Sequence, residues 1–316
     1  MASPFPRIAV PRIWLLSAAA VLLAVFALEL SLSARTESQT FDEPAHMYAG
    51  YSYWLRSDFG INPEHPPLVK LAATLPLLLS RPKYPEPLQI HFRAQSGYGG
   101  MQMMSEPGAD RMLSHVRAAV SIFVFALALL VFFAAREMFC DAAALLALLL
   151  FVFDPLILAH GPLLGTDMGA TCCIFAAIYA FYRYVKRPRM LPLGICCLAT
   201  GFAFAAKHSA ILVFPMIFLL AALELFIVPK NDNPSDAPNM TTRVLRVAAA
   251  CMTILIAAVA ILWAFYGFRY AAARRTADGA ADGCLPSGPA SPARSKSDRL
   301  RRAASLVAGV VSLRPD

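Results

Sequence analysis

Four short stretches of this chain carry residue types that could do chemistry together. The first, Thr40-Phe41-Asp42-Glu43-Pro44-Ala45-His46, places two acids and an imidazole close to a helix start. Thr40 or Asp42 suits a helix cap and Pro44 suits the first turn, which sets Asp42 and His46 four residues apart on one face. The second, Asn62-Pro63-Glu64-His65-Pro66-Pro67, holds Glu64 and His65 in a backbone stiffened by three prolines. The third, His160-Gly161-Pro162-Leu163-Leu164-Gly165-Thr166-Asp167, puts an acid at another helix start, where the helix dipole favours it. The fourth is Lys207-His208-Ser209, with Arg269 as a further cation near residue 270.

Carboxylates can take a proton from an attacking hydroxyl or amine. Cations can stabilise an anionic leaving group such as a phosphate. Asp42, His46, Glu64 and His65 could together ligate a divalent metal ion, the one cofactor these residues admit, although no local spacing rule supports it. Taken singly, each stretch has a plainer reading. Asp42 and Asp167 are caps, Glu64 is exposed charge, and Lys207 reaches to lipid headgroups. Asp154-Pro155 either relieves a kink or faces the same cavity.

The elements that must position these residues are set by composition. Of 316 residues, 58% are hydrophobic and only 15% charged, with a mean hydropathy of +0.57. A soluble domain carries about a quarter charged residues, so this balance argues against a soluble enzyme and excludes a disordered chain. Apolar runs at about 13–32, 116–135, 141–159, 169–185, 190–206, 209–228 and 247–267 give about seven candidate spans. The expected fold is an all-α, polytopic transmembrane helix bundle with amphipathic surface helices in its first outer loop. The first run is longer than a signal-peptide core, so residues 1–12 are expected in the cytoplasm.

The run 66–79 is short and contains Lys70, Thr74 and Pro76, which suits a helix lying on the surface. If it does not span, Arg136, Arg183, Lys186, Arg187, Arg189, Lys230, Arg243 and Arg246 share the cytoplasmic face. The short loop 160–168, with no Lys or Arg, then faces outward, as the positive-inside rule requires. Residues 33–114 become one long outer loop, and the four stretches meet at the outer boundary. The spans themselves hold few ionisable groups, chiefly Glu29, Asp154 and Glu224, which disfavours a transporter with a midplane site.

Net charge is +8, but the segment from Ala271 to Asp316 carries eight basic and four acidic residues, so the excess gives no sign of nucleic acid. The seven cysteines lie mostly in apolar runs, and none forms a CxxC pair, which suits packing residues rather than a metal or disulfide framework.

The ordered set Asp42-Glu43-Pro44-x-His46, Gly50-Tyr51-Ser52-Tyr53, Asn62-Pro63-Glu64-His65-Pro66-Pro67-Leu68, Ala109-Asp110-Arg111, Asp154-Pro155, His160-Gly161, Thr166-Asp167 and Lys207-x-Ser209-Ala210 resembles the GT-C class of integral-membrane glycosyltransferases. It is most similar to bacterial relatives of the dolichyl-phosphate-mannose–protein mannosyltransferases and the aminoarabinose transferases of lipid A. The resemblance covers about residues 13–270. It implies a sugar donor linked to a polyprenyl phosphate, a lipid, glycan or protein acceptor, and inverting transfer at the periplasmic face of a bacterial inner membrane. It implies catalytic roles for Asp42, Glu43 and Asp167. Substrate and lipid-phosphate binding fall to His46, Glu64, His65, Lys207 and Arg269.

Past Tyr270 the composition changes to Ala, Arg, Ser, Gly, Pro and Asp without aromatics. The expectation for 271–316 is a disordered tail, of the kind a frameshift would leave. The competing readings are an inactive truncated transferase, or a multi-span transporter or lipid-binding membrane protein without catalysis.

Overall fold

A computed structural model describes residues 11–85, 92–226 and 239–269. The expected cytoplasmic start (apart from its last two residues) and the tail at 271–316 lie outside the described residues. What is described is helical, with no strand among the described residues. In chain order the helices are α1 (Arg12–Thr36), α2 (Glu43–Arg56), α3 (Leu68–Thr74), α4 (Leu77–Ser80), α5 (Phe92–Ser105) and α6 (Ala109–Met138). There follow α7 (Asp141–Val152), α8 (Pro155–His160), α9 (Asp167–Lys186), α10 (Met190–Ala206), a 3-10 turn at His208–Leu212, α11 (Val213–Phe226) and α12 (Met240–Phe265).

The seven apolar runs each correspond to helix. Among the described residues, five helical stretches are long and apolar enough to cross a membrane: α1, α6, α9, the 3-10 turn with α11, and α12. α7 and α10 are apolar but shorter. In α7 the cause is local. Pro155 has no N–H to continue a helix, and Asp154 turns the chain by accepting hydrogen bonds from the N–H groups of Leu156 and Ile157 at 2.8 and 3.0 Å. Asp154 is thus a cap for α8. The chain is a multi-pass membrane protein, and its lipid-facing helices keep large side chains such as Leu150, Phe218 and Leu245 exposed.

Two packed clusters share α9. One joins α1, α6, α7 and α9 around Phe26, Val124, Leu148 and Cys172. The other joins α9 to α10, α11 and α12 around Phe181, Cys196, Ile217 and Ile254. Small residues let the helices approach closely in the second cluster, where a Cβ on Gly201 would lie 2.6 Å from Ile261.

A third cluster is built by the segment between α1 and α6. Met47, Tyr48, Tyr51, Val69, Ala73 and Leu77 pack with Met103 and the first turns of α6. These helices are packed deeply against the bundle rather than exposed on it. Ten of the fourteen α2 residues are buried, and α3 hides Val69, Lys70, Ala73 and Thr74. The reason is close packing through glycine: a Cβ on Gly50 would lie 2.4 Å from the Lys70 carbonyl oxygen, so nothing larger allows α2 and α3 this contact. Pro76 ends the α3 run, and α3 and α4 are far too short to span.

Candidate functional site

The start of α2 is fixed from inside the protein. Glu43 is only 1% exposed, and each of its oxygens accepts two hydrogen bonds. Oε1 accepts from Arg117 Nε at 2.8 Å and from the Leu164 N–H at 3.0 Å. Oε2 accepts from an Arg117 terminal nitrogen at 2.7 Å and from the Thr40 N–H at 2.8 Å. The Thr40 bond follows the spacing of a capping box, in which an acid reaches back to an N–H three residues earlier.

Arg117 uses its whole donor fork. Besides Glu43, it donates to the carbonyls of Ala34, Glu37 and Ser38 at 3.2, 2.8 and 2.8 Å. One buried guanidinium therefore ties the end of α1, the start of α2 and the first turns of α6 together, and Glu43 adds the loop before α9. Arg117 and Leu164 hold Glu43 as a carboxylate, below its usual range, against the cost of burial.

Asp42 has the opposite surroundings. It is exposed, makes no cap bond, and lines a cavity of about 680 Å³. His46, Glu64 and His65 line the same cavity, with Asn62 beside them and exposed Phe41 and Met101 supplying apolar wall. The structure thus brings both stretches of the first loop together. Glu43, expected to share a catalytic role with Asp42, is not among the residues that line the cavity.

The Asn62–His65 turn is held from beneath by Lys70. Its buried ammonium donates to Tyr53 Oη at 2.8 Å, the Asn62 carbonyl at 2.7 Å, Asn62 Oδ1 at 3.2 Å and the His65 carbonyl at 2.8 Å. Burial pushes this amine down to about 7, with Glu64 opposing the shift. The His46 and His65 rings meet edge to face at 5.6 Å. Burial, helped by the charges of Lys70 and His65, pushes His46 down to about 3, so its ring is neutral near neutral pH. Its Nδ1 is buried without a hydrogen-bond partner. His65 is lowered as well, by burial and by Lys70 and Lys207.

Asp167 begins α9 and pairs with Lys207 at the end of α10. Asp167 is mostly exposed, and the fields of both residues reach His65. Arg269 is not brought to the cavity. It donates to the Ser57 carbonyl at 2.9 Å and secures the residues after α12 against the left-handed end of α2. No group of three His, Cys, Asp or Glu side chains among the described residues is placed to hold a metal ion.

Two positioning residues escaped the reading of the sequence. Arg117 carries a signal, being a cation set into the apolar stretch of α6, where a charge needs a partner. Lys70 carries a weaker one, since its spacing to Thr74 also suits a surface helix.

Residues 110–230 match the family model described as dolichyl-phosphate-mannose-protein mannosyltransferase. No curated protein and no solved structure matches the chain. The matched stretch holds Arg117, Asp167 and Lys207, while Asp42, His46, Glu64 and His65 precede it. The match supports glycosyltransferase activity in this membrane protein and a mannosyltransferase-like, GT-C-type reading of residues 110–230.

Proposed function

We propose that this chain transfers a sugar from a polyprenyl-phosphate carrier to an acceptor hydroxyl or amine at the extracytoplasmic face. One observation carries the reading. Asp42, His46, Glu64 and His65 share a cavity of about 680 Å³, at the end of the bundle where Asp167 pairs with Lys207. Asp42 is the base. The acceptor oxygen or nitrogen bonds to the anomeric carbon as its proton passes to Asp42. The bond from that carbon to the phosphate oxygen breaks, and the electron pair leaves with the lipid phosphate. Attack opposite the leaving group inverts the anomeric centre.

Lys207 and Asp167 take the phosphate side, Lys207 as the cation and Asp167 as the group that orients it. His65 stands between the two halves. Neutral His46 offers its unpartnered Nδ1 to a polar group of the sugar or acceptor. Glu43 and Arg117 act as positioning residues: they fix the chain on either side of Asp42 and the loop before Asp167. Arg269 secures the frame around α2.

The test is Asp42→Asn in native membranes with a polyprenyl-phosphate sugar donor. Transfer is expected to fall by about 10²–10⁴-fold, the usual worth of a positioned base, with unchanged membrane insertion. Unchanged transfer would remove Asp42 from the mechanism.

A further inference from the structure

A second cavity, of about 330 Å³, lies among α4, α5 and α6, away from the Asp42 site. Lys83, Arg111 and His115 line it, and Glu106 is its acid. Arg111 and His115 are four residues apart and so share one face of α6. Lys83 and Glu106 face each other at 3.5 Å, both well exposed, a pair weak enough to exchange for another partner.

The backbone adds to this charge. α6 starts from Gly108, which has no side chain to cap the first turn, and the N–H groups of Asp110 and Arg111 have no protein acceptor among the described residues. The positive end of a long helix dipole therefore opens beside two cations, Lys83 and Arg111, and the His115 imidazole. Asp110 shares that first turn but is about 100° from Arg111 around the axis and does not line the cavity.

Depth identifies the ligand. The apolar stretch of α6 begins near Ala118, and at 1.5 Å per residue Arg111 stands about 10 Å beyond it. The headgroup level extends about 5–8 Å beyond the hydrocarbon on each side, and it is bracketed by His115, three residues or about 5 Å from Ala118, and Arg111. Leu79, 89% exposed, precedes Ser80 at the cavity edge, and Leu75 is exposed one turn earlier. An exposed leucine beside cations at this level suits an acyl boundary below and phosphates above.

We infer that Lys83, Arg111 and His115 form a binding site for the phosphate headgroup of an anionic membrane lipid, separate from the sugar-transfer site. The inference needs only that α6 spans, and it does not rest on the role given to Asp42.

The test uses the full chain in lipid nanodiscs of phosphatidylcholine, alone or with about one-fifth phosphatidylglycerol. Phosphatidylglycerol should raise the melting temperature of the wild type, because a ligand bound only by the folded state stabilises it. The double variant Arg111→Gln/His115→Gln should melt like the wild type in pure phosphatidylcholine, yet lose at least half of that rise. Asp42→Asn should keep the whole rise. An equal rise in the double variant overturns the site. If millimolar inorganic phosphate in pure phosphatidylcholine gives the wild type the same rise, the site takes free phosphate and the assignment to a lipid is overturned.

Discussion

Asp42 and Glu43 are neighbours on one helix start, yet one faces a cavity and the other is sealed against Arg117. The difference sets their expected behaviour under mutation. Replacing Arg117 with Met leaves Glu43 charged and buried, a loss of about 3–5 kcal/mol. Adding Glu43→Gln should return part of the melting temperature, because the orphaned charge is gone. A double variant no more stable than Arg117→Met would show that the pair is not coupled. The same two acids show what a sequence can convey. Asp-Glu-Pro at a helix start was legible as an acidic pair near a site. Which acid turned inward was not, because the deciding partner stands 74 residues away. Acid should expose the Glu43 contact directly. Its folded-state affinity for protons is lowered from 4.5, so its contribution is whole above that value and is lost as pH falls below it. His46, lowered from 6.5 to about 3, acts in the same direction and earlier: the unfolded chain takes up a proton below 6.5 while the folded one does not. Below pH 6.5 the melting temperature should therefore decline in two stages, distinct from the Lys70 stage, which runs down from 10.5 and ends at about pH 7. Glu43→Gln should remove only the stage below 4.5, and a curve unchanged by that substitution would contradict the assignment.

At the scale of elements, hydropathy is a local property, and that is why the apolar runs of the bundle were readable one at a time. The break between α7 and α8 was readable for the same reason, since proline and its capping acid act over a few residues. The depth of α3 was not. Its burial depends on α2 coming close at Gly50, about twenty residues earlier, and on a lysine satisfied by oxygens from Tyr53, Asn62 and His65. Gly50→Ala tests that dependence. The new methyl carbon would sit 2.4 Å from the Lys70 carbonyl oxygen and 2.8 Å from its carbon, backbone atoms that cannot swing aside. A destabilisation of about 1–3 kcal/mol is expected from the overpacking. Transfer should fall with it, because Lys70 carries the Asn62–His65 turn into the cavity. Melting and activity equal to the wild type would mean that α2 and α3 do not need this contact.

The whole molecule has two unlike ends. At one, Arg117 binds the end of α1, Glu43 binds Leu164, Lys207 pairs with Asp167, and Arg269 binds Ser57. At the other, Arg183 pairs with Glu137, Arg136 with Asp141, and Arg243 with Glu224. The second end also carries Lys186, Arg187 and Arg189 in the short turn between α9 and α10. The opposite turn, between α8 and α9, holds no lysine or arginine. Cationic turns stay in the cytoplasm, and loops longer than about 60 residues contribute little to orientation, so the segment between α1 and α6 does not outvote them. By that rule we propose an extracytoplasmic cavity end. Reporter fusions read this directly. A periplasmic phosphatase joined after Gly165 should be active, and a fluorescent protein joined after Pro188 should glow. Reversed signals would place the Asp42 cavity in the cytoplasm, where a soluble nucleotide-sugar donor is accessible. The orientation of the bundle thus decides between the proposed lipid-linked donor and a soluble one, and the fusions test it ahead of any single side chain.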